Sequence, residues 1–121
     1  MQSANNPTLP RRLLDMKRAV EFIGDEAAVA AMMPLLLSTL RDDVPEILRL
    51  LQTGDVVAAN QLLHPLKGFV PVFCIDQVID QVTAVEVFSK TAPAADVLPK
   101  FEQLLPLLER LRREVEGAVP P

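Results

Sequence analysis

The chain has 121 residues, enough for one domain; half of them are apolar and only 4% aromatic, a balance that favours aliphatic helix packing over a β-sandwich. Its net charge of −4 and isoelectric point near 4.9 argue against the basic footprint of a nucleic-acid-binding surface. The single cysteine, Cys74, leaves no internal disulfide and fits a reducing compartment.

Residues Met1 to Pro10 are polar and hold two prolines. They read as a linker or disordered lead-in without the apolar stretch of a signal peptide. Leu13 to Ile23 forms a short amphipathic segment, with Leu13, Met16, Val20 and Ile23 on one face; Gly24 closes it and Asp25 caps the next helix. From Glu26 to Thr53 a helical stripe runs through Val29, Met33, Leu36, Leu37, Leu40, Val44, Ile47, Leu48 and Leu51. Pro34 and Pro45 interrupt it, which predicts kinks or a break near Arg41 to Asp43. The longest apolar run, Ala27 to Leu37, is too short to span a bilayer.

Thr53-Gly54-Asp55 supplies a stop and a new cap, and its shortness makes the flanking helices antiparallel neighbours. In the helix that follows, Ala59, Leu62, Leu63, Leu66, Phe69, Val70 and Phe73 share one face. Val57, Asn60, Gln61, His64, Lys67, Gly68 and Pro71 share the other. Pro65 should loosen this helix, and Pro71 and Cys74 mark its end. Asp76 opens another, with Ile75, Val78, Ile79, Val82 and Val85 at helical spacing. Thr91 to Ala95 reads as a loop. Asp96 is placed to cap a last helix, with Pro99 in its first turn, a buried stripe of Phe101, Leu104, Leu105, Leu108, Leu111 and Val115, and a kink at Pro106. The expected architecture is all-α, an antiparallel four-helix bundle with a short additional N-terminal helix, over residues 11–117, ending in a frayed tail at 118–121.

His64 is the only histidine, and Lys67 the only basic residue between Arg49 and Lys90. On one strip of helix an ammonium lies three residues beyond the imidazole, and a position without a side chain lies four beyond. A solvent-facing imidazole can attack phosphorus, a nearby lysine can offset phosphoryl charge, and a glycine lets another protein's surface approach. The bland reading is an exposed histidine that happens to precede a lysine.

His64-x-Leu66-Lys67-Gly68 within this helix pattern resembles the histidine-containing phosphotransfer (HPt) family, found at the C-terminus of hybrid sensor histidine kinases. The resemblance runs from about Leu13 to Val115 and takes in Gly54-Asp55 and the acidic Glu86. Phe69 and Val70 stand where the family has small residues, and Cys74 where it has a glycine. The resemblance implies a cytoplasmic phosphorelay carrier. His64 would accept a phosphoryl group through Nε2 from a receiver-domain aspartate and pass it to a response-regulator receiver. Lys67 would stabilise phosphoryl charge, and the receiver would dock on Val57, Asn60, Gln61, Gly68 and Pro71. Glu86 matches a position where some members hydrogen-bond the imidazole, although an exposed helical glutamate is an equal reading of that residue. The resemblance implies no cofactor or metal on this chain, Mg²⁺ belonging to the receiver.

Rival sites are weak. About ten helical residues, or ~15 Å of rise, separate Cys74 from His64, and Cys74 reads as a small buried apolar group. No glycine-rich phosphate loop is present, since Gly24, Gly54, Gly68 and Gly117 stand singly. The alternative function is a non-catalytic helical adapter or dimerisation module on the same scaffold.

Overall fold

The computed structural model describes residues 12–119. The lead-in read at Met1 to Pro10, and Pro120 and Pro121 of the tail, lie outside them. The described chain is all-helical, without a strand. Helix α1 spans Met16–Ile23, α2 Glu26–Ser38, α3 Val44–Gln52, α4 Val56–Phe73, α5 Asp76–Ser89 and α6 Ala94–Ala118. Connections of two to four residues separate α1 from α2 and each of α3, α4 and α5 from the next, so consecutive helices fold back as neighbours. Helix α3 packs against α4 and α6, α5 packs against the same two, and α1 lies on α2 and α4.

Local signals explain most boundaries. Gly24 and Gly54 adopt positive φ of 93° and 90°, the left-handed turn that glycine makes without a Cβ penalty. The Asp25 side chain accepts from the backbone N–H groups of Ala27 and Ala28, and Asp55 accepts from Ala58, satisfying donors that a helix start leaves open. The break expected near Arg41 to Asp43 takes the form of a widened turn. Thr39–Asp43 is π-helical and joins α2 to α3 without interruption, with Val44 N–H bonding the Thr39 carbonyl. Pro45 follows directly, and its ring displaces the carbonyl that an ordinary turn would present to it.

Five other prolines sit inside helices: Pro34, Pro65, Pro71, Pro99 and Pro106. None ends its helix. All are exposed, as is Pro45, and four of the five carbonyls they deprive of a partner belong to the exposed residues Ala30, Gln61, Ala95 and Glu102. Water can satisfy a solvent-side carbonyl, so a proline there bends a helix without orphaning a buried group.

Some expectations are corrected. Leu13 belongs to an extended entry rather than to the first helix, which Asp15 caps by accepting from Arg18 N–H at 3.0 Å. Ala19, not Met16, is the buried residue of α1. Helix α4 passes Pro71 and ends at Phe73. Asp96 does not cap α6; the helix begins at Ala94 after Pro93, placing Asp96 within its first turn and Pro99 in its second. The helix also runs through Gly117 to Ala118.

The core is aliphatic, with Phe73 and Phe101 its largest side chains. The N-terminal entry is stitched to it by backbone pairing. Asp15 N–H donates to the Phe73 carbonyl at 2.7 Å and Ile75 N–H to that of Leu13 at 3.0 Å, an isolated antiparallel bridge of Leu14 with Cys74. The Glu114 carboxylate accepts from the N–H groups of Leu13 and Leu14 at 2.9–3.0 Å, and Arg18 donates to the Cys74 carbonyl at 2.8 Å.

Gly54→Ala should destabilise the protein by about 1–2 kcal/mol through backbone strain, since nothing lies within 4 Å of a Cβ there. Gly68→Ala, in an equally open but helical setting, should stabilise by about 0.5–1 kcal/mol. Urea unfolding of the two variants checks the opposite signs.

Candidate functional site

The outward strip of α4 follows from spacing. Val57, Gln61, His64, Gly68 and Pro71 succeed one another at intervals of four and three, and all five are exposed. Their register opposes Ala59, Leu63, Leu66, Val70 and Phe73, which are buried. Leu62 and Phe69 sit at the edge of that core, partly buried. His64 lies mid-strip with its side chain 67% exposed.

Beneath His64 lies a charged cluster built from two helices. Glu86 on α5 is completely buried and so is not an exposed helical glutamate. Its Oε2 lies 3.6 Å from Nδ1 of His64, beyond a hydrogen bond but within ion-pair reach. Its Oε1 lies 3.2 Å from Nζ of Lys67 and 3.7 Å from Nζ of Lys90. The Lys67 contact is one of charge, because no donor meets Oε1 with hydrogen-bond alignment. Asn60 completes the shell: its amide N–H donates to Glu86 Oε2 at 3.1 Å and to Ser89 Oγ at 2.8 Å. Ser89 in turn donates to the Glu86 carbonyl at 2.6 Å.

Burial pushes the Glu86 carboxyl up, but the adjacent Lys67 ammonium, the hydrogen bond from Asn60 and the charge of Lys90 together outweigh it, leaving the group below its usual value. The carboxylate is therefore ionised at neutral pH while out of water. Two ammonium groups face one carboxylate, so the site carries a local excess of positive charge on a chain of net charge −4. The ring turns Nδ1 toward Glu86 while most of the His64 side chain stays in solvent.

Among the residues expected to form a docking face, Asn60 differs in position. It is half-buried and its amide is engaged inside the cluster. Lys67 is also tied inward, its side chain 28% exposed. Ser89 and Lys90 escaped the sequence reading. Their signal was the spacing Glu86-x-x-Ser89-Lys90, which places a hydroxyl and a cation on the same strip as the glutamate at i+3 and i+4.

Cys74 is buried among the core residues. Burial, then the charge of Glu114, raise its thiol to about 12 against the opposing pull of Arg18, which makes it a poor nucleophile at neutral pH. Among the described residues no group of three or more His, Cys, Asp or Glu could hold a metal ion, and no helix is long and apolar enough to cross a membrane. No known family, curated protein or solved structure matches the chain.

The lowered Glu86 carboxyl fixes a sign. A depressed carboxyl contributes stability that is complete above the unfolded value near 4.5 and is lost as pH falls through the lower folded value. The stability difference between wild type and Glu86→Gln should therefore shrink as pH drops below about 4.5, read from urea midpoints. A difference independent of pH would mean that folding leaves the proton affinity of the Glu86 carboxyl unchanged.

Proposed function

We propose that this chain is a phosphocarrier: His64 accepts a phosphoryl group from a receiver-domain aspartate and passes it to a second receiver, on an HPt-like antiparallel four-helix bundle with a short additional N-terminal helix. The observation that carries this reading is an exposed imidazole whose Nδ1 faces a buried carboxylate that two ammonium groups also contact. An imidazole held this way is a nucleophile whose ring orientation is set from below, and in-line phosphoryl transfer asks chiefly for positioning and charge stabilisation. The exposed strip Val57, Gln61, Gly68 and Pro71 is the surface on which a receiver docks, and Mg²⁺ resides on that receiver. Such a carrier works in the cytoplasm, as a free protein or as a module of a sensor kinase. It completes no reaction alone.

One observation favours the adapter reading. Ile79, Thr83, Ala84, Val87 and Phe88 line an open, largely apolar groove along α5, and Val87 is half exposed. A binding module would use such a groove and leave His64 unmodified.

Incubation with a receiver carrying labelled aspartyl phosphate separates the two. A carrier takes up acid-labile, base-stable label, and His64→Gln abolishes it with little change in melting temperature, because an exposed side chain leaves no cavity behind. Complex formation without label establishes the adapter. Gly68→Gln should keep its melting temperature, since nothing crowds a Cβ at that position, yet lose most transfer through obstruction of the docking strip. A destabilised but active Gly68→Gln protein would remove Gly68 from that surface.

A further inference from the structure

The cluster under His64 has a feature that phosphoryl acceptance alone does not require. Its anion is fully buried, whereas both of its cations reach solvent: the Lys67 and Lys90 side chains are 28% and 50% exposed. The lysines can leave; the carboxylate cannot. The contacts to Oε1, at 3.2 and 3.7 Å, are charge contacts on flexible stems, while Oε2 is fixed by Asn60 at 3.1 Å and faces Nδ1 of His64 at 3.6 Å.

We propose that Glu86 is a displaceable counterion that also keeps the proton shed by the imidazole: when His64 is phosphorylated, Lys67 and Lys90 pass from the carboxylate to the phosphoryl oxygens, and Glu86 remains buried as the neutral acid. This rests on the phosphocarrier reading. In the transfer step the Nε2–P bond forms, the P–O bond of the acyl phosphate breaks, and the aspartate leaves with the electron pair as a carboxylate. The imidazole's Nδ1 proton passes to Oε2 of Glu86, rotation of the exposed His64 side chain closing the remaining gap. Total charge is unchanged: one carboxylate is protonated and another is released.

The driving forces agree. A phosphoryl group carries close to two negative charges near neutral pH and, exposed at the helix surface, attracts both ammonium groups. A buried carboxylate stripped of its cations faces the desolvation that raises a carboxyl, the same burial that already opposes its ionisation here. The groups facing it are His64 and Lys67 with Asn60 on α4, and Lys90 with Ser89 on its own helix. With both lysines engaged elsewhere, the cation left facing Glu86 is the imidazolium formed as Nε2 takes the phosphoryl group, and it gives up its Nδ1 proton to Oε2. Return transfer reverses each move, so the carboxylate reclaims the lysines as the phosphoryl group departs. Lys90, at the C-cap of α5, is thereby a phosphoryl-positioning residue from outside the histidine helix.

The test uses the full chain phosphorylated by phosphoramidate, with infrared difference spectra of the labelled against the unlabelled protein. The expected result is a new carboxylic acid band that is missing from Glu86→Gln, together with a phosphohistidine half-life several-fold shorter in Lys90→Ala. Lys90 is half exposed, so its replacement leaves the fold intact, and circular dichroism confirms that. Label on His64 with no acid band overturns the exchange and leaves the carrier reading standing. A half-life unchanged in Lys90→Ala removes Lys90 from phosphoryl positioning and likewise overturns the exchange. No label from either phosphoramidate or a phosphorylated receiver overturns the carrier reading and the exchange together.

Discussion

A fully buried carboxylate beneath a surface histidine is the constraint on which the candidate site depends. An isolated ion in that position costs several kcal/mol even after relaxation, so Glu86 requires neighbours that hold its charge. Lys67 and Lys90 supply that charge and Asn60 a directed hydrogen bond. These groups come from α4 and α5, and their demand for one another fixes the rotation of the two helices about their axes. His64 takes its outward position from that register. A slip of one residue in either helix would turn Glu86 away from Asn60 and separate the imidazole from the carboxylate.

The C-terminal end of α4 is held by different means. There the entry segment pairs with the α4–α5 connection, and Glu114 accepts two of its backbone N–H groups. Arg18 joins the same junction through the Cys74 carbonyl and Asp76. Backbone groups are thus satisfied where the chain has no helix to satisfy them. The histidine helix is thus held at its middle by the Glu86 cluster and at its C-terminal end by this junction.

Proline placement permits this. A chain with prolines inside α2, α4 and α6 would ordinarily break into shorter helices. Here they lie on exposed faces, where the carbonyls they strip of partners meet water. Among the described residues the π-helical turn is Thr39–Asp43, which lies just ahead of Pro45 with Val44 between them. Pro65 beside His64 and Pro71 a turn and a half further on leave the reactive strip helical.

The sequence by itself determined the helical class, most helix boundaries and the two faces of α4. Those depend on local chemistry: aliphatic residues at a period of 3.6, glycines where φ must be positive, and aspartates that cap. It also singled out His64, Lys67 and Gly68 as a strip, because neighbours at three and four residues share a helix surface. Only the tertiary structure decided that Glu86 is buried and not exposed, that Asn60 and Lys67 turn inward to it, and that Lys90 joins them. In each case the deciding contact spans two helices, and periodicity along one helix carries no information about what a second sets against it. Local signals misplaced the start of α6 for a related reason. Asp96 is a good capping residue, but Ala94 and Val97 are buried in the core, and packing those side chains favours a helix that begins one turn earlier.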